Sequence, residues 1–151
     1  MIIISPFAKP LKNGKQNPKN YPYWKELVQE LHKIMHVVQV GVEGEEQLVP
    51  DFRKDLSVVG LRNLLQEATT WISCDSFIQH LGWECGKKGI VLWSVSDPLI
   101  FGHPENINLL RNRKYLVEDQ FRTWNEVEHD PKKFVDPEFV VKALNELLTF
   151  E

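Results

Sequence analysis

The residues best suited to chemistry lie between residues 71 and 101, where two apolar runs each end in polar side chains. The first run ends in Asp75 and Ser76, and the short helical pattern after it carries His80. The second run covers residues 89–93. In open α/β sheets, ligands bind at the carboxyl edge of the strands, and the first turn of a helix offers unpaired N–H groups to a phosphate. This order of elements indicates a nucleotide-type ligand.

Each of these polar residues also has a purely structural interpretation. Asp75 could cap the N–H groups of residues 77 or 78, or those groups could bind a diphosphate, with Ser76 and His80 as further donors. A lone helical histidine such as His80 is also common in cores and on surfaces. The turn at 96–98 is structural first and ligand-adjacent second, because an aspartate there can bond its own backbone. These alternatives stay open at the level of the sequence.

Alternating strand and helix patterns must position these residues. Strands separated by helical patterns indicate one doubly wound, Rossmann-like α/β sheet, mostly parallel, with helices on both faces. The length of 151 residues fits a single domain over residues 1–151. Strands are predicted at Ile2–Ile4, Val37–Gly41, Trp71–Cys74, Gly89–Trp93 and Ile107–Leu110. Helices are predicted around residues 24–35, 61–68, 76–84 and 137–148.

Composition excludes several classes of function. The net charge of −3 argues against nucleic acid as a partner, since such proteins normally carry a basic face. No run approaches the ~18 apolar residues of a membrane span, and the start lacks a secretion signal, so a cytoplasmic location is predicted. Cys74, His80 and Cys85 lack a zinc-site spacing, and we expect no metal or other cofactor. Both cysteines are predicted to be reduced and inert.

Four lysines fall in a stretch rich in proline, asparagine and glycine directly after the first strand. They are Lys9, Lys12, Lys15 and Lys19. This composition predicts a mobile cationic loop at the sheet edge, which could cover phosphates or could simply be solvated.

Three segments form a recognisable series: DSFIQHL at 75–81, GKK at 86–88 before IVL at 90–92, and SDP at 96–98. Together they resemble the nucleotide-binding, carboxy-terminal half of glycosyltransferase family 9, the ADP-heptose:lipopolysaccharide heptosyltransferases. KNYP at 19–22 resembles the lysine-containing entry of that domain, and DPE at 136–138 resembles the start of its closing helix. The resemblance spans nearly the whole chain. It implies a fold like one half of a GT-B enzyme.

The resemblance also implies a nucleotide site. Lys19 falls on the lysine of the family motif, and Asp75 and His80 match its aspartate-to-histidine spacing. The family uses an acidic residue after the second strand to hold ribose hydroxyls, which here is Glu43 or Glu45. Phe77 stands where the family usually has glycine, and a ring there would crowd a pyrophosphate.

The resulting hypothesis is a domain that binds a nucleotide or nucleotide sugar, with ADP favoured. Its predicted site consists of Lys19, Glu43, Asp75, Ser76, Phe77 and His80. A first alternative is a glycosyltransferase whose acceptor half and catalytic base come from another chain or a dimer mate, with Lys19 stabilising the leaving diphosphate. A second is a non-catalytic domain that sequesters nucleotides or docks a protein through Trp83, Trp93, Phe101 and Trp124.

Overall fold

A computed structural model describes residues 1–122 and 124–150, with the backbone alone at residue 125. Its centre is a six-stranded sheet in which every pair of neighbouring strands is parallel. The strands are β1 (Ile2–Ser5), β2 (Val37–Gly41), β3 (Phe52–Lys54), β4 (Thr70–Cys74), β5 (Ile90–Trp93) and β6 (Ile107–Leu110). Their spatial order is β3-β2-β1-β4-β5-β6, which is the order of a doubly wound dinucleotide-binding fold. The predicted fold class is confirmed.

Helices cover both faces of this sheet. They are α1 (Trp24–His32), α2 (Val58–Glu67), α3 (Phe77–Glu84), the single turn α4 (Pro98–Phe101) and α5 (Pro137–Thr149). Ile2 and Ile4 of β1 point into a core shared with α1 and α5, and Ile3 between them points into a core shared with α2 and α3. Because successive strand residues face opposite sides, a strand covered on both faces must be apolar throughout. The three consecutive isoleucines of β1 meet this requirement.

The structure adds the single turn α4 to the predicted helices, begins α2 at Val58, and differs from the prediction at two further elements. The strand β3 was not predicted, because its three residues Phe52, Arg53 and Lys54 are mostly exposed at the sheet edge and carry no apolar run. The helix α1 ends at His32, although the apolar periodicity continues through Ile34 and Met35. Both of these side chains pack on the core from the turn after the helix, so their apolar periodicity reflects burial and not a continuing helix.

The order of the strands creates one crevice. After β1 the chain moves outward to β2 and β3, whereas after β4 it moves outward to β5 and β6. β1 and β4 are neighbours, paired from Ile2–Thr70 to Ser5–Ser73. The connections that leave their carboxyl ends therefore diverge, and such a switch point is where open α/β sheets bind ligands.

Candidate functional site

A cavity of about 540 Å³ lies at this switch point. Its wall is formed by residues that follow β1, β2, β3 and β4, together with Leu61 of α2 and Trp124. The volume falls within the ~300–1,000 Å³ of typical small-molecule sites. Four of the predicted site residues contribute to this wall: Lys19, Asp75, Ser76 and Phe77.

The connection from β1 to α1 holds Lys19 in place. Asn17 accepts a hydrogen bond from the Lys19 N–H and donates one to the Lys9 carbonyl. Asn20 accepts from the Ala8 N–H. Asn17 and Asn20 are both buried, so the end of this connection is fastened, and the prediction of a mobile loop does not hold there. The asparagines replace the backbone hydrogen bonds that an irregular segment lacks.

Asp75 binds Lys19 instead of capping α3. Its Oδ2 lies 2.9 Å from the Lys19 ammonium and also accepts from the Ser96 hydroxyl, and its Oδ1 accepts from the Gln79 amide at 2.6 Å. The Asp75 side chain is only 10% exposed and that of Lys19 only 17%. Asp75 therefore neutralises and orients the ammonium at the cavity wall, and the structural cap interpretation of Asp75 was wrong.

Trp124 and Gln79 complete this cluster, and the sequence interpretation assigned neither of them to it. The Lys19 ammonium lies 4.7 Å from the centroid of the Trp124 ring, within the range of a cation–π contact. Gln79 is four residues after Asp75, and this i,i+4 spacing on a helical segment could have suggested their contact. Trp124 comes from the segment after β6, and no local spacing relates it to Lys19.

The first turn of α3 borders the cavity next to Lys19. Ser76 is the N-cap residue, but within the described part of the chain its side chain makes no capping hydrogen bond and donates instead to the Cys74 carbonyl. The N–H groups at the start of the helix are thus available to an anion. Phe77 is the first residue of the helix, lines the cavity and is 55% exposed. Its ring lies outside the core, beside the N–H groups that would bind phosphate.

The structure distinguishes the two glutamates after β2. Gly44, at a φ of +94°, reverses the chain so that Glu45 folds back and accepts the Val42 N–H at 3.0 Å. Glu45 lines the cavity, and among the described residues its Oε2 is buried without a hydrogen-bond partner. Burial raises the pKa of Glu45 above its ordinary value. Glu43 is exposed, pairs with Lys54 at 3.2 Å and lies outside the cavity wall.

His80 also lies outside the cavity wall. Its Nδ1 is 2.7 Å from Nε2 of His103, and the His103 ring stacks on Trp83 with centroids 4.4 Å apart. Partial burial and the neighbouring His103 lower the pKa of His80. The structure therefore brings Lys19, Asp75, Ser76 and Phe77 together but separates Glu43 and His80 from them.

The segment that carries Trp124 is anchored at the carboxyl end of β5. The Gln120 amide donates to the Val95 carbonyl and accepts from the Asp97 N–H. Arg113 binds both carboxylate oxygens of Asp97, at 3.0 and 2.7 Å, and Asp97 also caps α4 through the Leu99 N–H. The turn at 96–98 thus has a structural role, and its Ser96 hydroxyl also donates to Asp75 in the cavity wall.

We expect the ion pair between Arg113 and Asp97 to stabilise the fold in a pH-dependent way. The Arg113 guanidinium lowers the pKa of Asp97 below its ordinary value of 3.8, so the stabilisation is present above pH 3.8 and is lost as the pH falls through the folded-state pKa. Urea unfolding of wild type and Arg113→Gln at a series of pH values measures this. Their difference in unfolding free energy should persist from pH 7 to 5 and disappear in more acidic solution. The exposed Lys12→Gln variant serves as the charge control, and a difference that does not vary with pH would contradict the assignment.

The other candidate residues have different surroundings. Trp93 is buried and cannot form part of a docking patch, whereas Trp83 is about half exposed. Cys74 and Cys85 are free thiols, and burial raises the pKa of Cys74 to about 12, which makes it a poor nucleophile. Within residues 1–122 and 124–150, no cluster of three or more histidine, cysteine or acidic side chains could hold a metal ion. None of the helices described is both long and apolar enough to cross a membrane.

Solved glycosyltransferases share this fold over nearly the whole chain. A family 9 glycosyltransferase from Veillonella parvula matches 100% of this chain and 46% of its own, with a TM-score of 0.73 and 16% identity. The iron-containing dodecameric glycosyltransferase TibC from enterotoxigenic E. coli matches 99% of this chain and 47% of its own, with a TM-score of 0.74 and 16% identity. The ADP-heptose lps heptosyltransferase II of E. coli matches 98% of this chain and 46% of its own, with a TM-score of 0.67 and 17% identity. TibC has also been solved in complex with ADP-D-β-D-heptose.

These matches concern the fold alone, since each identity is below 20%. No protein-family model and no curated protein sequence matches the chain. The chain spans just under half the length of the three glycosyltransferases. It therefore has the fold of about one half of a family 9 glycosyltransferase, as its sequence motifs suggested.

Proposed function

We propose that this chain binds a nucleotide or nucleotide sugar, with an adenine nucleotide favoured, in the cavity between β1 and β4. The observation that carries the proposal is that the Lys19 ammonium and the first turn of α3, which has no side-chain cap among the described residues, line the same cavity at the switch point of the sheet. Both groups attract a diphosphate, and helix N-termini at such crevices bind phosphate through N–H groups and the helix dipole.

The rest of the cavity fits the other parts of a nucleotide. Val40, Leu56 and Leu61 form an apolar wall on the side of β2 and α2, which suits a base. Glu45 lines the same cavity, its Oε2 has no hydrogen-bond partner among the described residues, and a carboxylate can accept hydrogen bonds from both ribose hydroxyls. Glu45 therefore replaces Glu43 as the proposed ribose ligand.

Calorimetric titration tests the proposal directly. We expect the purified chain to bind ADP and ADP-sugars with dissociation constants below 1 mM, and to bind UDP and GDP more weakly. Glu45→Gln should reduce the affinity for ADP more than for 2′,3′-dideoxy-ADP, because only ADP offers both ribose hydroxyls. Failure of every nucleotide and nucleotide sugar to bind more tightly than 1 mM would refute the proposal.

A second candidate function is glycosyl transfer, with a second half supplied by another chain or a dimer mate. It is favoured by the match to glycosyltransferases together with the coverage of only about half their length. In this function Lys19 would stabilise the charge that develops on the leaving diphosphate. Slow release of ADP from an ADP-sugar by the wild-type chain, lost in Lys19→Ala, would support catalysis. Tight binding without any turnover would instead identify a binding or sequestering protein.

A further inference from the structure

The exposed large apolar side chains of this chain concentrate at one edge of the sheet. Eight of the eleven in the described residues follow the carboxyl end of a strand, either in the next loop or at the start of the next helix. They are Val42 after β2, Leu56, Val58 and Val59 after β3, Phe77 after β4, Leu99 and Ile100 after β5, and Phe121 after β6. We call this set the carboxyl-edge face. Of the other three, Trp83 lies in α3, Phe139 lies in α5, and Phe150 directly follows α5.

The face surrounds the cavity on two sides. Val42, Leu56 and Phe77 line the cavity itself. On the other side, Phe121 packs edge-on against Phe101 with centroids 5.8 Å apart, three residues before the cavity residue Trp124. A cover on this face would therefore close over the proposed nucleotide site.

The exposed area is large enough for a stable interface. From their exposures, the eight side chains present on the order of 800 Å², which matches the ~800 Å² that each partner buries in a standard protein interface. The face therefore has the size and composition of a docking surface.

Its charges suit a second copy of the same face. Lys54 pairs with Glu43 beside Val42 and Leu56, and Arg122 pairs with Glu126 beside Phe121. A surface with both signs in local pairs can meet its own copy across a twofold axis without facing a row of like charges. The net charge of −3 adds only weak repulsion between copies.

The length of the matched glycosyltransferases also favours a second copy of this chain as the partner. The match accounts for 46% of the Veillonella parvula glycosyltransferase, so two such units would account for most of that chain. We propose that the carboxyl-edge face docks on a second copy of this chain, forming a twofold homodimer in which each copy covers the cavity of the other. This partner goes beyond the proposed nucleotide binding, and the face is defined independently of it.

Light scattering after size exclusion tests the dimer on the full 151-residue chain. At about 100 µM, wild type should elute with twice the mass of 17.7 kDa. Phe121→Lys and Leu99→Lys, at positions 79% and 81% exposed, should shift the mass to that of one chain. Phe150→Lys is the matched control, because Phe150 is 90% exposed but lies at the end of α5, and this variant should remain dimeric.

Each outcome decides the proposal. A monomeric wild type at this concentration would overturn it, as would a dimer that Phe150→Lys dissociates and the two face variants leave intact. Neither Leu99 nor Phe121 lines the cavity, so nucleotide affinity measured per chain on the face variants tests the proposed function separately. Loss of the dimer with retained ADP binding would show that the two properties are distinct.

Discussion

Replacing Lys19 with alanine is expected to weaken ADP binding by about 10- to 150-fold, since hydrogen bonds to charged groups contribute ~1.5–3 kcal/mol. The ammonium lines the cavity together with the first turn of α3, and it is held there by Asp75 and Trp124. Because it is already oriented, little side-chain entropy is lost when phosphate binds. Calorimetry at one stated ionic strength measures the change.

The carboxylate of Asp75 makes the Lys19→Ala effect larger than the loss of one contact. Without Lys19, Asp75 keeps its bonds from Gln79 and Ser96 but presents an uncompensated negative charge beside the proposed phosphate position. The double variant Lys19→Ala with Asp75→Asn should therefore recover part of the lost affinity, and the difference between the variants measures the repulsion.

Lys12→Ala is the matched control for Lys19. Lys12 lies in the same connection but is exposed and outside the cavity wall, so its loss should leave ADP affinity within about twofold of wild type. Circular dichroism on each variant confirms that the fold persists. Equal losses of ADP affinity in the Lys12 and Lys19 variants would mean that the lysines act only through overall charge. An unchanged ADP affinity in Lys19→Ala would mean that the phosphates bind elsewhere.

Replacing Phe77 with glycine is expected to strengthen ADP binding. The ring lines the cavity at the first residue of α3, and a diphosphate bound as proposed would approach the N–H groups there and displace the ring. Overpacking a core costs ~1–3 kcal/mol, and the half-exposed Phe77 ring costs less to move, so removing the ring should raise the ADP affinity by up to about 5-fold. The structure excludes the case in which the ring is buried in the core, because Phe77 is more than half exposed.

The opposite result would identify Phe77 as a stacking surface. Base–aromatic stacking contributes ~1–3 kcal/mol, so a ring that contacts the base would make Phe77→Gly bind ADP more weakly. Phe77→Ala separates the loss of the ring from the added backbone freedom of glycine at a helix start. If both variants bind ADP more weakly with their folds intact, the phosphates do not lie over the first turn of α3.

Local patterns were sufficient for the architecture of this protein. β1, β2, β4 and β5 were predicted close to their observed bounds, because strands buried on both faces must be mostly apolar runs, and the edge strand β6 was predicted because three of its four residues are apolar. The edge strand β3 was missed, since an exposed edge needs no such run. The alternation of strands and helices also predicted the parallel sheet, and with it the edge at which a ligand would bind.

Which polar residues meet at that edge was determined by contacts between segments distant in sequence. Asp75 was predicted as a site residue, but its role follows from Lys19, 56 positions earlier, and from Ser96 on the next connection. His80 has the spacing of the family motif, yet His103 binds it away from the cavity.

The choice between Glu43 and Glu45 depended on a backbone reversal at Gly44, which turns Glu45 toward the cavity, whereas Glu43 forms an ion pair with Lys54. The sequence by itself determined the elements and their order, because these follow from periodicity and burial within each segment. Only the tertiary structure decided the composition of the site, because side chains at the ends of parallel strands become neighbours through the order of the strands and not through their spacing along the chain.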